Sequence, residues 1–384
     1  MNDRVYYECV YRKLKNVFED CNWVLGYGEE LIRYGWDPGS LLVTAEPIEQ
    51  LRLMTVRLNL EIFIPIFGFA GQSVLFSKDA EIFMSDPHYL YHNVGSQLHF
   101  FRKHIYPVIL FETELLERHG VPHMIDLTPS GWHILFRVKA GTRAFQEIAD
   151  IGYLEQELKQ AYLYCDPHDI KRNPALGLKP GLVFSGIGRL KEYLSLKSMT
   201  YARQQAEIPI TISDSEEKCV NEDITDTGDP GYMRIMRSPF SLHKKRRRYI
   251  TGSGSLQDVI MRVYSRRENS GQDLFIRDLD YLLECMWSKE MAVEHSTYFS
   301  GFIPYADDES VSSLVNEYKE SDLYAFHRRF DTEPELPPGE ALNRAMGDFK
   351  LSDKSRNFIA YPCPRALQPR ALKKFVRDLL EHGW

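Results

Sequence analysis

The sequence predicts an α+β fold, and three observations carry that expectation. Two β-branched and aromatic runs, "TVRLNLEIFIPIF" (Thr55 to Phe67) and "SVLFSKDAEIFM" (Ser73 to Met84), read as successive strands. "HMIDLTPSGWHILFRV" reads as two more strands around a Thr-Pro-Ser-Gly turn. Beyond about residue 250 the apolar spacing becomes helical, so strands and helices segregate along the chain. The expected architecture is a mixed or antiparallel sheet flanked by helices, followed by a mainly helical C-terminal module.

Each element has its own signal. Residues 5 to 35 place aromatic and apolar residues at helical spacing and read as two helices broken at "LGYG". Tyr91 to His119 reads as helix closed by a glycine at Gly120, with Pro107 kinking or dividing it. A further helix spans about Arg143 to Tyr164. In "GLVFSGIGRLKEYL" the glycines read as a strand-to-helix turn, with Arg189 and Glu192 on the first helical turn. The segment matches neither phosphate-loop pattern, GxxxxGK[ST] or GxGxxG, and is given no catalytic role. "EIPITIS" reads as a strand, residues 213 to 231 as acidic and turn-rich, and "TGSGS" (Thr251 to Ser255) as a linker. That linker divides a domain over 1–250 from a helical domain over 256–384. Near the end, Leu372, Phe375, Val376, Leu379 and Leu380 form one apolar stripe, which suits burial in this chain or on a partner.

Composition narrows the class. With 384 residues there is room for two or three domains, and 43% hydrophobic with 26% charged residues is ordinary for a globular chain. "MNDRVYYECV" is too polar for a secretory signal, and "IFIPIFGFA" is about half a membrane span. Six scattered cysteines without CxxC read as reduced thiols, which suits a cytoplasmic or nucleoid-associated protein without a membrane partner. "CDPH" places Cys165 and His168 at ligand spacing, and Cys219 could join them, but two ligands do not make a zinc site.

The net charge is −7, yet Arg234 to Arg248 holds seven Lys and Arg residues and no acidic one. Just upstream lie Glu222, Asp223, Asp226 and Asp229. Carboxylates beside clustered cations suit a site that takes divalent metal and polyphosphate together. The bland reading is a pair of solvated charge runs. In "TPSGWHILFRV", Ser130 and Gly131 lie in a turn whose hydroxyl and backbone N–H groups can meet a phosphate, with His133 beside them. On that strand Ile134, Phe136 and Val138 form the natural core face, and His133, Leu135 and Arg137 share the other.

"EDITDTGDPGYMRIMRSPFSLHKK" resembles the third motif region of the small catalytic subunit of archaeal and eukaryotic DNA primases, where a strand-borne Asp precedes an SPFSxH-type segment. "PSGWH" resembles the Ser-x-His second motif of the same superfamily, in the family's order. The two matches cover about 35 of 384 residues. The resemblance implies a primase-like catalytic core and a metal-dependent nucleotidyltransferase acting on a DNA template with nucleoside triphosphates. It implies that Ser130 and His133 bind the incoming phosphates, and that Arg237 and His243 contact triphosphate or template backbone. Asp223 would be the third metal-binding carboxylate, with Mg²⁺ or Mn²⁺ as the ion. Lys244, Lys245, Arg246, Arg247 and Arg248 depart from the family's usual Pro-Lys-Thr-Gly and read as extra nucleic-acid contact. The first motif, two carboxylates at spacing two on a strand, is met best by Asp79 and Glu81. Glu112 with Glu114, Asp86 and Glu61 are the other candidates. A degenerate first motif would leave a catalytically inactive, nucleic-acid-binding initiator or accessory subunit. An unrelated α+β protein would lack a sheet joining His133 to Asp223.

Overall fold

The computed structural model describes residues 1–18, 21, 24–26, 61–68, 71–83, 94–163, 176–205, 210–211, 219–224, 227, 234–243, 261–263, 279–297 and 302–332. Chain contacts separate two compact units, Met1–Leu323 and Tyr324–Trp384. The linker at Thr251 to Ser255, the basic run Lys244 to Arg248, the Cys165/His168 pair, Asp86 and the C-terminal apolar stripe all lie outside the described residues.

The fold is α+β. A six-stranded sheet runs β6-β7-β3-β5-β4-β9 and a three-stranded sheet runs β1-β2-β8. β3 (Ser73–Phe83) is the longest strand and pairs antiparallel with β5 (Gly131–Lys139) and β7 (Cys219–Asp223). β4 (Met124–Thr128) pairs antiparallel with β5 and with β9 (Met261–Val263). β6 (Ile210–Thr211) adds a short parallel edge to β7. In the smaller sheet β2 (Glu61–Pro65) lies between β1 (Val24–Gly26) and β8 (Ile235–Arg237), both antiparallel.

The Thr-Pro-Ser-Gly reading is met: Thr128 pairs with Gly131 across a two-residue loop, Pro129-Ser130. Gly131 is fixed by a close approach, since a Cβ there would sit 1.8 Å from the Ala80 carbonyl oxygen of β3. No side chain can move to relieve that contact, because the atom met is backbone. Gly131→Ala is therefore expected to part β3 from β5 at Glu81 and to lose about 2 kcal/mol or more, within the range for severe core substitutions. A urea midpoint equal to wild type would refute that account.

Helices sit against one face of the large sheet. The stretch from 94 divides as foreseen near Pro107: α2 (Val94–Phe100), a π-helical turn (Phe101–Ile105), then α3 (Tyr106–Arg118). Pro107 has no N–H to donate back along the helix, and the wider π turn falls directly before it. Gly120, with φ +71, follows the C-cap His119. Arg143 to Tyr164 contains two helices, α4 (Arg143–Ile151) and α5 (Gln156–Leu163).

Four readings are corrected. "GLVFSGIGRLKEYL" contains no strand; it lies within a 28-residue helix, α6 (Leu178–Gln205). Its glycines serve helix packing: a Cβ on Gly186 would lie 2.1 Å from the Ile148 carbonyl oxygen of α4. The helix expected up to "LGYG" ends earlier: α1 (Asp3–Val17) is followed by strand β1 (Val24–Gly26), which contains Leu25 and Gly26, while the second helix expected beyond it lies outside the described residues. Within the acidic stretch after residue 213, Cys219–Asp223 is a strand. Finally, β5 has no open face: Trp132, His133 and Arg137 are all buried, Arg137 through hydrogen bonds to Ser73 and Cys21.

The predicted helical region after residue 256 contributes α7 (Leu279–Trp287), α8 (Lys289–Ser296), α9 (Asp308–Lys319) and α10 (Asp322–Thr332). α7, α8 and α9 belong to the first unit, where Lys289 of α8 meets Asp3 of α1 at 2.5 Å. Among the described residues no helix is long and apolar enough to cross a membrane.

Candidate functional site

Strand register assembles the candidate residues. Asp79 stands opposite His133 on one side and opposite Asp223 on the other. Asp126 stands opposite His133 one strand further on. Directly opposed residues of an antiparallel sheet project to the same face. One row across four strands therefore reads Asp223, Asp79, His133, Asp126. Glu81, two residues along β3, shares that face and is opposite Gly131 and Asn221. Three sequence segments that lie up to 144 residues apart (Asp79 to Asp223) thus supply one surface.

The neighbouring turn adds Ser130, whose hydroxyl donates to Glu81 Oε1 at 3.0 Å. Gln97 of α2 holds that turn: its Nε2 donates to the Pro129 carbonyl at 2.8 Å, and its Oε1 accepts from Trp287 Nε1 of α7 at 2.7 Å. From the smaller sheet comes Arg237, whose Nε donates to the buried Glu61 at 3.0 Å and whose guanidinium lies over the Phe63 ring. Arg237 stays partly open, with 18% of its side chain exposed. Glu61, a first-motif candidate in the sequence, thus orients an arginine.

His133 is 5% exposed. Burial, and then the positive charge of Arg237, push its pKa from 6.5 down to about 3. At neutral pH the ring is uncharged, so its 3.5 Å approach to Asp79 Oδ1 is not an ion pair. A neutral imidazole still offers one N–H donor. Because the folded-state pKa is depressed, the unfolded chain binds a proton first on acidification. Stability should then fall between pH 6.5 and about 3, at up to about 1.4 kcal/mol per unit. His133→Gln should flatten that acid limb, as read from urea midpoints between pH 6.5 and 4. An unaltered limb would assign the acid sensitivity to other groups.

The segment "SPFSLH" forms a tight turn after β8. Ser238 N–H donates to the Ile62 carbonyl, Ser241 N–H to the Ser238 carbonyl, and Ser241 Oγ accepts from Ile62 N–H at 2.9 Å. Phe240 has φ +59, the only positive φ on a non-glycine among the described residues. Such a conformation costs about 1–3 kcal/mol and persists only where surroundings over-determine it. His243 at the end of the turn is 6% exposed.

The reverse face of the same strands carries a buried charge cluster. Lys78 Nζ meets Glu112 of α3 and lies 2.7 Å from Glu222 Oε2. Glu112 also accepts from Trp132 Nε1 and Ser198 Oγ, each at 2.8 Å. Glu112 therefore belongs to the support of the sheet and not to the carboxylate row; Glu114 stands beyond it on the same helix.

Asp79, Glu81 and Asp223 offer only hard carboxylate oxygens, the donor type Mg²⁺ and Mn²⁺ take. Their register places them on one surface, and in that respect the residues present fit such an ion. As the side chains stand, no three His, Cys, Asp or Glu groups among the described residues close on a common ion position. Asp126 was not singled out in the sequence, although counting back from the two-residue turn puts it opposite His133. Glu61, Gln97 and the Lys78 cluster act across long sequence separations that no local pattern marks. No protein-family model matches the chain, and no curated protein sequence matches it.

Proposed function

We propose that this chain is a metal-dependent nucleotidyltransferase of the primase-polymerase type, acting on a DNA template with nucleoside triphosphates. The observation that carries the reading is the in-register row Asp223–Asp79–His133 with Glu81 alongside. Chance motif matches have no reason to fall opposite one another on adjacent strands.

Asp79, Glu81 and Asp223 would hold Mg²⁺ or Mn²⁺. When bound, such an ion activates the attacking 3′-hydroxyl and neutralises charge on the leaving pyrophosphate. The chain's own residues position and stabilise charge. Ser130 orients Glu81 through its hydrogen bond. His133 offers a neutral N–H donor, and Arg237, held by Glu61, supplies a fixed positive charge toward triphosphate oxygens. His243 closes the turn after Arg237, and Lys244 to Arg248, which follow it in sequence, would supply positive charge for the template backbone. The test is incorporation of labelled nucleotide on single-stranded DNA with Mn²⁺ or Mg²⁺, wild type against Asp223→Ala.

A second reading has its own support. The carboxylates do not close on one point as placed, which suits a primase-like fold that binds nucleic acid without catalysis. DNA binding by wild type, with no incorporation under either metal, would select it.

A further inference from the structure

Helix α1 presents two adjacent tyrosines to the "SPFSLH" turn. Tyr6 OH donates to the Phe240 carbonyl at 2.8 Å, and Tyr7 OH accepts from Leu242 N–H at 3.1 Å. Both rings are essentially without solvent exposure. The two hydrogen bonds bracket Ser241, one on the Phe240–Ser241 peptide and the other on the Ser241–Leu242 peptide. They fall where the chain holds its one positive-φ side chain among the described residues. A strained turn of this kind needs partners that pay no alternative loyalty to water, and a buried phenol is such a partner. Burial raises both phenol pKa values well above 10, so both remain neutral hydroxyls at any working pH.

We propose that Tyr6 and Tyr7 are positioning residues for the phosphate side of the candidate site, acting through the Phe240 turn on Arg237 and His243. The inference rests on the nucleotide reading for what Arg237 and His243 contact, but the clamp itself is independent of it. Arg237 ends β8, and Ser238 begins the turn by hydrogen bonding to Ile62 of β2. His243 closes the turn one residue after the clamped Leu242 amide. If the Phe240 peptide relaxed, these two cationic or donor side chains would lose their fixed separation. α1 is itself anchored away from the turn, by Asp3 to Lys289 and by the Met1 amino group to Glu290. The helix therefore has a fixed reference from which to hold the turn. Other strong features of the molecule already have a structural role: the His119–Glu317–Tyr193 cluster ties three helices together, and Cys21 is buried against Arg137.

The experiment compares wild type, Arg237→Ala, and the double variant Tyr6→Phe with Tyr7→Phe. Tyrosine to phenylalanine keeps the buried rings and removes only the hydroxyls. Two readouts are taken on each protein: amide hydrogen exchange over residues 234–243, and titration with inorganic tripolyphosphate. The proposal expects faster exchange at Ser241 and Leu242 in the double variant, with the sheet amides of β3 and β5 still protected. It also expects about tenfold weaker tripolyphosphate binding, matching the direction of Arg237→Ala. Unchanged exchange at Ser241 and Leu242 overturns the clamp. Faster exchange with wild-type tripolyphosphate affinity, while Arg237→Ala weakens it, overturns the positioning role and leaves the nucleotide reading standing. If wild type fails to bind tripolyphosphate, the nucleotide reading falls, and the exchange result alone then decides the clamp. Should the double variant lose protection throughout, each single tyrosine variant is measured in the same way.

Discussion

Asp223→Ala is expected to lower metal-dependent nucleotide incorporation by roughly 10²-fold or more, the scale on which removed charge-stabilising groups act at such sites. Asp223 and Asp79 stand opposite each other across β3 and β7. Like charges directly opposed on a sheet are destabilising. Glu81 on the same face adds a third carboxylate. On the proposed reading, a divalent cation joining the row would offset this repulsion and add stability. Two measurements therefore move in opposite senses. Without metal, Asp223→Asn should melt at or slightly above the wild-type temperature, because one repulsion is gone. With Mn²⁺ at about 100 times its dissociation constant, wild type should gain about 2.7 kcal/mol, and the variant should gain much less. Incorporation by Asp223→Ala at the wild-type rate would remove Asp223 from the reaction. An equal Mn²⁺ shift in both proteins would remove it from the ion site as well.

The legible part of this molecule is the part that local chemistry fixes. The Pro129-Ser130 turn, β4 and β5 each follow from residues within about ten positions, and the β4–β5 pairing follows from the turn. Pro107 announced the division of the helix around it. The α6 glycines misled because glycine punctuates turns far more often than it relieves a helix contact; only the nearness of Ile148, some forty residues earlier, explains Gly186. β7 is hidden in the sequence because "CVNED" ends in three polar residues and pairs at long range with β3. Its alternation is real, since Asn221 and Asp223 share the face of Asp79 and Glu81 while Val220 and Glu222 lie on the reverse face. What made Glu222 look like a surface acid is that its partner, Lys78, lies on a strand 144 residues away. Candidate residues were thus visible as types and spacings, and the register that joins them was not.

Lys78→Met is expected to be the most destabilising single change on the sheet, by about 3–5 kcal/mol, the cost of leaving a buried charge without its partner. Lys78 is 1% exposed and meets two carboxylates, Glu112 and Glu222, that are equally buried. Attraction to both carboxylates raises the Lys78 pKa despite its burial, so the ammonium stays charged. Burial pushes Glu222 up to about 8. Burial thus favours the protonated form of Glu222 beside the Lys78 ammonium. Removing Lys78 leaves Glu112 tied only to Trp132 and Ser198. The sign of the pH dependence follows from Glu222. Its folded-state pKa lies above its ordinary 4.5, so the folded chain holds a proton that the unfolded chain releases. Stability from this group is present below pH 4.5 and is lost as pH rises toward about 8. Glu222→Gln should therefore flatten that alkaline decline while keeping the cluster neutral, and urea midpoints from pH 5 to 8.5 would measure it. A midpoint for Lys78→Met within about 1 kcal/mol of wild type would mean that water or a neighbouring group replaces the ammonium. The consequence for the site is direct, because Lys78 precedes Asp79, Glu222 precedes Asp223, and Trp132 precedes His133. Asp79, Asp223 and His133 are thus each held in register by a preceding residue anchored on the opposite face, so on the proposed reading Lys78→Met should weaken divalent-cation binding along with the fold.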